Sequence, residues 1–366
     1  MTKFQHRQFK LDEHPSGSWL YAYGLLANRE LKFFSDANWQ QLFQTSSKEA
    51  FLNQLRDKNY PGDTLEDALN QSELDDLEFI YSAIPDLTYL NPIFLEKDGH
   101  NLKTLLRVQL STKENISLDQ VENLLLSPYS ISPKNILIQI RKSINKEEDK
   151  QEIFLKPDDE PLGLLQKNHD PVPIWMKKAI DLAIKDFSNH YSVARVDQIV
   201  EKAINKAVFK EYKSLDSEWF TELYQMQIDF KNLELLFRSR TLNIDKDYFE
   251  HSLLDYGKID ISDWIKYFEL SNEELATQLS EINLEKFAHF AHEYEQLGEA
   301  SVFTKNVDTV LITKLQEAKS FSPGPEKVIS YLFVRNLERK NIRIARACVT
   351  NNFSQERISQ LIRPGY

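Results

Sequence analysis

Few residues in this chain stand at spacings that could do chemistry. His289-x-x-His292-Glu293 puts two imidazoles one helical turn apart beside a carboxylate, which could begin a zinc site. The zinc-hydrolase helix has its His and Glu in a different order, and no third ligand is evident. Phe287, Ala288, Phe290 and Ala291 surround the pair, so a packed helix face is the better reading, with a metal-dependent hydrolase kept as a competitor.

Phosphate chemistry fares worse. A P-loop needs two glycines ahead of Lys and Ser/Thr so that backbone amides can surround the phosphates. Here Gly257-Lys258 is followed by Ile259, and no dinucleotide glycine fingerprint occurs elsewhere. The single cysteine, Cys348, excludes an intrachain disulfide and any multi-cysteine metal site. It sits in the apolar run Ile342 to Val349, which suits a buried structural thiol better than a nucleophile. No catalytic residue, cofactor or metal is expected.

One polar pattern recurs. Asp98-x-x-Asn101-Leu102, Asp229-x-x-Asn232-Leu233 and Glu338-x-x-Asn341-Ile342 each set an acid and an amide three residues apart, ahead of an aliphatic residue. Residues three apart share a helix face, so acid and amide can act together on one neighbouring segment. An Asn inside a helix competes with its own backbone unless it is well paired, so bonds within each repeat are the first expectation. From Asp98 to Asp229 is 131 residues and from Asp229 to Glu338 is 109, far beyond a solenoid period of roughly 20 to 50. Each copy is therefore read as a small domain of several helices.

The elements that must carry these residues are helical. Between Pro173 and Pro323 there is no proline, and the only glycines are Gly257 and Gly298. From Trp175 to Val208, apolar residues such as Met176, Ala179, Ile180, Ala183, Ile184 and Phe187 recur at helical steps with charges between them. Leu102, Leu105 and Leu106 stand where Leu233, Leu236 and Phe237 stand in the second copy. Each motif helix leads through a short link to a shorter helix, the third with Ser354 as its cap. The class is all-α. Expected boundaries are 1–145, 146–283 and 284–366, the second opening with a charged, proline-containing linker to about 170.

At 366 residues, 41% hydrophobic and 28% charged, the chain can bury substantial cores. Its net charge of −11 argues against nucleic acid, which needs clustered Lys and Arg, and against adhesion to anionic lipid. The 22 Phe, 15 Tyr and 5 Trp are then core material rather than base-stacking platforms. No signal-peptide core and no run of the roughly 18 apolar residues that span a bilayer is present. No direct membrane insertion is expected, and a protein partner is.

The run Gly324-Pro325-Glu326 to Arg343, with Tyr331, Leu332, Glu338, Asn341 and Ile342, resembles the closing signature of the C-type central-stalk family of V-type ATPases. This is the prokaryotic central-stalk component, whose eukaryotic equivalent is the d-type one. The other two motif copies, and Tyr21-Ala22-Tyr23 with Leu25, Leu26 and Ala27, resemble the same family. Asn28-Arg29-Glu30 departs from it, since the family commonly has two arginines flanking an aliphatic residue there.

The resemblance implies three similar helical domains arranged as a funnel around a pseudo-threefold axis. It implies a non-catalytic rotor subunit that joins shaft subunits of the D and F type to the membrane proteolipid ring. Such a subunit is peripheral, on the cytoplasmic face, and carries torque between ATP turnover and H⁺ or Na⁺ transport. Arg107, Arg238 and Arg343, on or just after the motif helices, are candidate interface positions, with local salt bridges as the competing reading. A soluble helical scaffold for a regulatory partner is the alternative from another class.

Overall fold

Serine, threonine and aspartate start many of the helices, because their side-chain oxygens accept from backbone N–H groups that lack a partner in a first turn. In the computed structural model Ser18, Ser35, Ser47, Thr64, Asp245, Ser271 and Ser354 all do this. Pro92 and Pro325 occupy first turns, where a missing N–H costs nothing. The structure describes residues 8–9, 17–45, 47–112, 115–148, 172–294, 299–363 and 365.

Seventeen α-helices and no β-strand occur among the described residues, as the sequence pattern implies. They are α1 (Trp19–Glu30), α2 (Asp36–Phe43), α3 (Lys48–Asp57), α4 (Leu65–Ala83), α5 (Asn91–Ser111), α6 (Leu118–Val121), α7 (Pro133–Glu148), α8 (Ile174–His190) and α9 (Val193–Ser214). The rest are α10 (Glu218–Thr241), α11 (Lys246–Ser252), α12 (Ile261–Glu269), α13 (Asn272–Glu281), α14 (Phe290–Glu293), α15 (Glu299–Glu317), α16 (Pro325–Thr350) and α17 (Gln355–Leu361). None of the described helices is long and apolar enough to cross a membrane. The expected linker to about 170 lies mostly outside the described residues.

The chain divides into two compact units that are not contiguous in sequence. The first comprises residues 3–11 and 90–214. Its centre is the pair α5 and α9, brought close at Gly99, where a Cβ would stand 2.6 Å from the Ile204 side chain. Polar bonds flank that contact: Lys103 to Glu201 at 2.8 Å, Arg107 to Asp197, and Asn91 to Glu211 at 3.0 Å. Phe9 joins the unit through its N–H to the Tyr129 carbonyl at 3.0 Å and its ring against Phe94.

The second unit holds residues 12–89 and 215–366. The long helix α16 packs on α1, α2 and α4 and also meets α15. Ile342 and Ala345 of α16 enter a core with Phe34, Trp39, Leu42, Phe51, Leu55 and Tyr60. The other core is aromatic: Phe237 and Phe303 meet edge to face at 5.7 Å, among Phe230, Phe249, Trp264, Phe287 and Phe290. Each fully buried ring of this kind contributes about 1.5–3 kcal/mol relative to exposure.

Between α4 and α16 lies a buried ionic network. Asp76 accepts from Tyr331 Oη at 2.6 Å, Arg335 Nε at 2.8 Å and Arg339 Nη1 at 2.7 Å. Arg335 also donates to Ser72 Oγ at 2.7 Å and to Glu338. Burial alone would raise the Asp76 carboxyl, but the two guanidiniums and the Tyr331 hydroxyl outweigh it and hold the group below its ordinary value.

Candidate functional site

The recurrent motif builds one local device three times. Asn101 on α5 donates to the Leu126 carbonyl at 3.0 Å and accepts from the Leu126 N–H at 2.7 Å. Asn232 on α10 does the same with Leu254, both bonds 2.9 Å. Asn341 on α16 does it with Arg363, at 3.1 and 3.0 Å. A carboxamide carries one acceptor and a donor side by side, so it can satisfy both polar groups of one backbone residue. In each copy the clasped residue lies two positions past the end of a short helical turn: the 3₁₀ turn Glu122–Leu124, α11, and α17.

The acid one turn earlier holds the next part of the same link. Asp98 accepts from the Ser130 and Ile131 N–H groups, each at 3.2 Å, and from the Ser130 hydroxyl. Asp229 accepts from Lys258 N–H at 2.9 Å and Ile259 N–H at 3.2 Å. In both copies the donors stand four and five positions beyond the clasped residue, so a single helix face reads two points of one turn. Gly257 lies under Asp229, where a Cβ would come within 2.1 Å of the carboxylate oxygen; only glycine leaves the acid in place. Tyr256 beside it takes the left-handed backbone, φ 78°.

The third copy keeps the amide and redirects the acid. Glu338 accepts from Phe34 N–H at 2.7 Å, Tyr60 Oη at 2.8 Å and the Arg335 guanidinium. It has a cation at hand, whereas neutral donors surround the other two. Burial pushes the Asp98 carboxyl up to about 7, partly opposed by its bonds to Ser130 and Ile131 and by Lys97. Burial likewise takes Asp229 to about 6, opposed by the Lys258 and Ile259 amides and the Lys258 charge.

The three candidate arginines differ in their local surroundings. Arg107 is bound to Asp197 through both carboxylate oxygens, and Arg343 to Glu66 at 2.8 and 3.3 Å. Arg238 is exposed. His289 and His292 are not among the buried residues, and Phe287 and Phe290 are the packed residues of that segment. Among the described residues no three His, Cys, Asp or Glu side chains gather in a metal-binding cluster. Cys348 is buried, and burial raises its thiol. Asp76, the hub of the ionic network, carried no motif; its one signal was a charge at helical spacing from Ser72 and Ile80 on the apolar face of α4.

Exposed apolar side chains stand in the same segments that carry the three clasped residues. These are Leu124 and Leu126 in the first copy, Tyr248 in the second and Phe353 in the third. The sequence is 24% identical to the C-type subunit of the A-type ATP synthase of Methanocaldococcus jannaschii, over 93% of this chain and 86% of that protein. Residues 22–361 match the profile of the family described as ATP synthase (C/AC39) subunit. With nearly its whole length matched, the chain belongs to the ATP synthase (C/AC39) subunit family.

Proposed function

We propose that this chain is the non-catalytic rotor socket of a V/A-type ATPase, seated between the D and F type shaft subunits and the membrane proteolipid ring. In this reading three repeats, 1–145, 146–283 and 284–366, form a funnel around a pseudo-threefold axis at the cytoplasmic face. The observation that carries it is the threefold recurrence of the asparagine clasp, at 3.1 Å or less in every bond. A subunit that passes torque needs attachment points that do not yield, and a clasp to both polar groups of a backbone residue removes freedom from an otherwise loose turn. The motif residues then hold each turn, and the exposed side chains beside it make contact.

Family membership and the relative named as an ATP synthase subunit support assembly with other subunits; the contacts assigned to ring and shaft are the proposal's own. Photocrosslinkers placed at Leu124, Tyr248 and Phe353 of the full chain in the assembled ATPase test it. All three positions should capture a rotor or ring subunit. Crosslinks only to soluble proteins outside the ATPase would replace the rotor reading with a scaffold.

A further inference from the structure

The two compact units carry charge very unevenly. Residues 3–11 and 90–214 have 22 Lys and Arg against 18 Asp and Glu, a net of +4, while the other unit has 23 against 38, a net of −15. Helix α9 of the first unit sorts its charges by face. Its acids are engaged within the unit: Asp197 by Arg107, Glu201 by Lys103 and Glu211 by Asn91. Its lysines at 202, 206, 210 and 213 have no ion pair or hydrogen bond among the described residues, and all but the half-buried Lys202 are exposed.

Helical geometry makes the separation sharp. At about 100° per residue, the three acids fall within about 80° of one another. The four lysines fall within about 80° on the opposite side. The lysine row runs about 17 Å along the axis, one residue wide.

We propose that the outer face of α9 is a docking surface for an acidic helix of another subunit, with Lys202, Lys206, Lys210 and Lys213 meeting carboxylates at i, i+4 spacing. The proposal rests on the reading of this chain as part of a multi-subunit assembly. Charge complementarity selects the partner: every acid on α9 is engaged on the opposite face, so the row presents cations alone to whatever meets it. A lipid surface fits less well, because interfacial helices insert apolar side chains beside their lysines, and α9 has no exposed large apolar residue. A narrow row of point charges suits a complementary helix, with association that weakens as salt rises.

The test uses the full-length chain in the assembled ATPase, comparing wild type with Lys206→Glu/Lys210→Glu and Lys206→Arg/Lys210→Arg. Retention in the complex is followed through a NaCl gradient, and binding to vesicles with 30% phosphatidylserine is measured by flotation. Because neither lysine has a partner among the described residues, thermal unfolding should be unchanged in both variants. The Glu variant should lose affinity for the complex about tenfold or more, the Arg variant should hold, and neither should float. Equal retention of the Glu variant overturns the proposal. So does wild-type vesicle binding that the Glu pair abolishes, or self-association of the wild type that the Glu pair abolishes. A wild-type chain that enters no ATPase complex instead overturns the rotor reading, and this surface falls with it.

Discussion

Asn232 and Leu254, twenty-two residues apart, hold each other through two hydrogen bonds of 2.9 Å, amide to carbonyl and backbone N–H to side-chain oxygen. Both residues are buried, so loss of the side chain strands a donor and an acceptor away from water. Asn232→Ala should therefore destabilise the unit by about 2–4 kcal/mol. Asn232→Asp keeps the acceptor but sets an oxygen against the Leu254 carbonyl, so it should not rescue. Urea unfolding measures both, and a loss under about 0.5 kcal/mol for the alanine variant would show that the clasp does not hold the turn.

Gly257 gives a second check on the same turn. A methyl group there would come within 2.1 Å of Asp229 Oδ1, so the acid or the turn must move. Gly257→Ala should cost about 1–3 kcal/mol. In an Asp229→Ala background the same change should cost much less, because the obstructing oxygen is gone. Strictly additive effects in the double-mutant cycle would refute the steric account.

The two acids whose burial outweighs their bonds set a pH dependence. Asp98 titrates at about 7 in the folded chain and Asp229 at about 6, against about 3.8 ordinarily. A folded value above the unfolded one means the native state binds more protons between them. Each group therefore favours the fold at low pH, and stability is lost as pH rises through the window from about 4 to about 7 for Asp98 and about 6 for Asp229. The slope should approach 1.4 kcal/mol per pH unit, roughly, for each group where only its folded form is protonated. Asp98→Asn should flatten the fall in unfolding free energy between about pH 5 and 7; a slope equal to wild type would contradict it.

Asp76 should behave in the opposite sense. Its folded value is lowered despite burial, because Arg335, Arg339 and Tyr331 favour the carboxylate. Its contribution is present above the unfolded value near 3.8 and is lost as pH falls through the lower folded value. Asp76→Ala leaves two buried guanidiniums short of a counterion and should cost about 3–5 kcal/mol. Chemical denaturation at neutral pH measures the loss, and near-neutrality would show that Glu338 alone suffices for Arg335.

Much of the fold is legible in the sequence. Periodic apolar residues without interrupting proline determined the helices, since a helix face is written in local steps of three and four. The equal spacing of acid and amide in Asp98–Asn101 and Asp229–Asn232 put both on one face, and the Ser354 cap was visible from its type and place. Family membership was legible too, because it lies in the run of residues along the chain.

Tertiary structure decided the rest, because the partners are far apart in sequence. Nothing near Asn101 marks Leu126 as the residue it clasps, and nothing near Glu338 marks Phe34 and Tyr60 as the groups that draw it away from the pattern of the other two. Asp76 bonds to residues 255 to 263 positions away, and as one of several acids in α4 it is indistinguishable from a surface acid until Arg335 and Arg339 are seen against it. That the lysines of α9 stand apart from its acids was decided by α5, which engages Asp197 and Glu201 on the opposite face. Local periodicity is a property of the chain; desolvation and pairing are properties of what packs beside it.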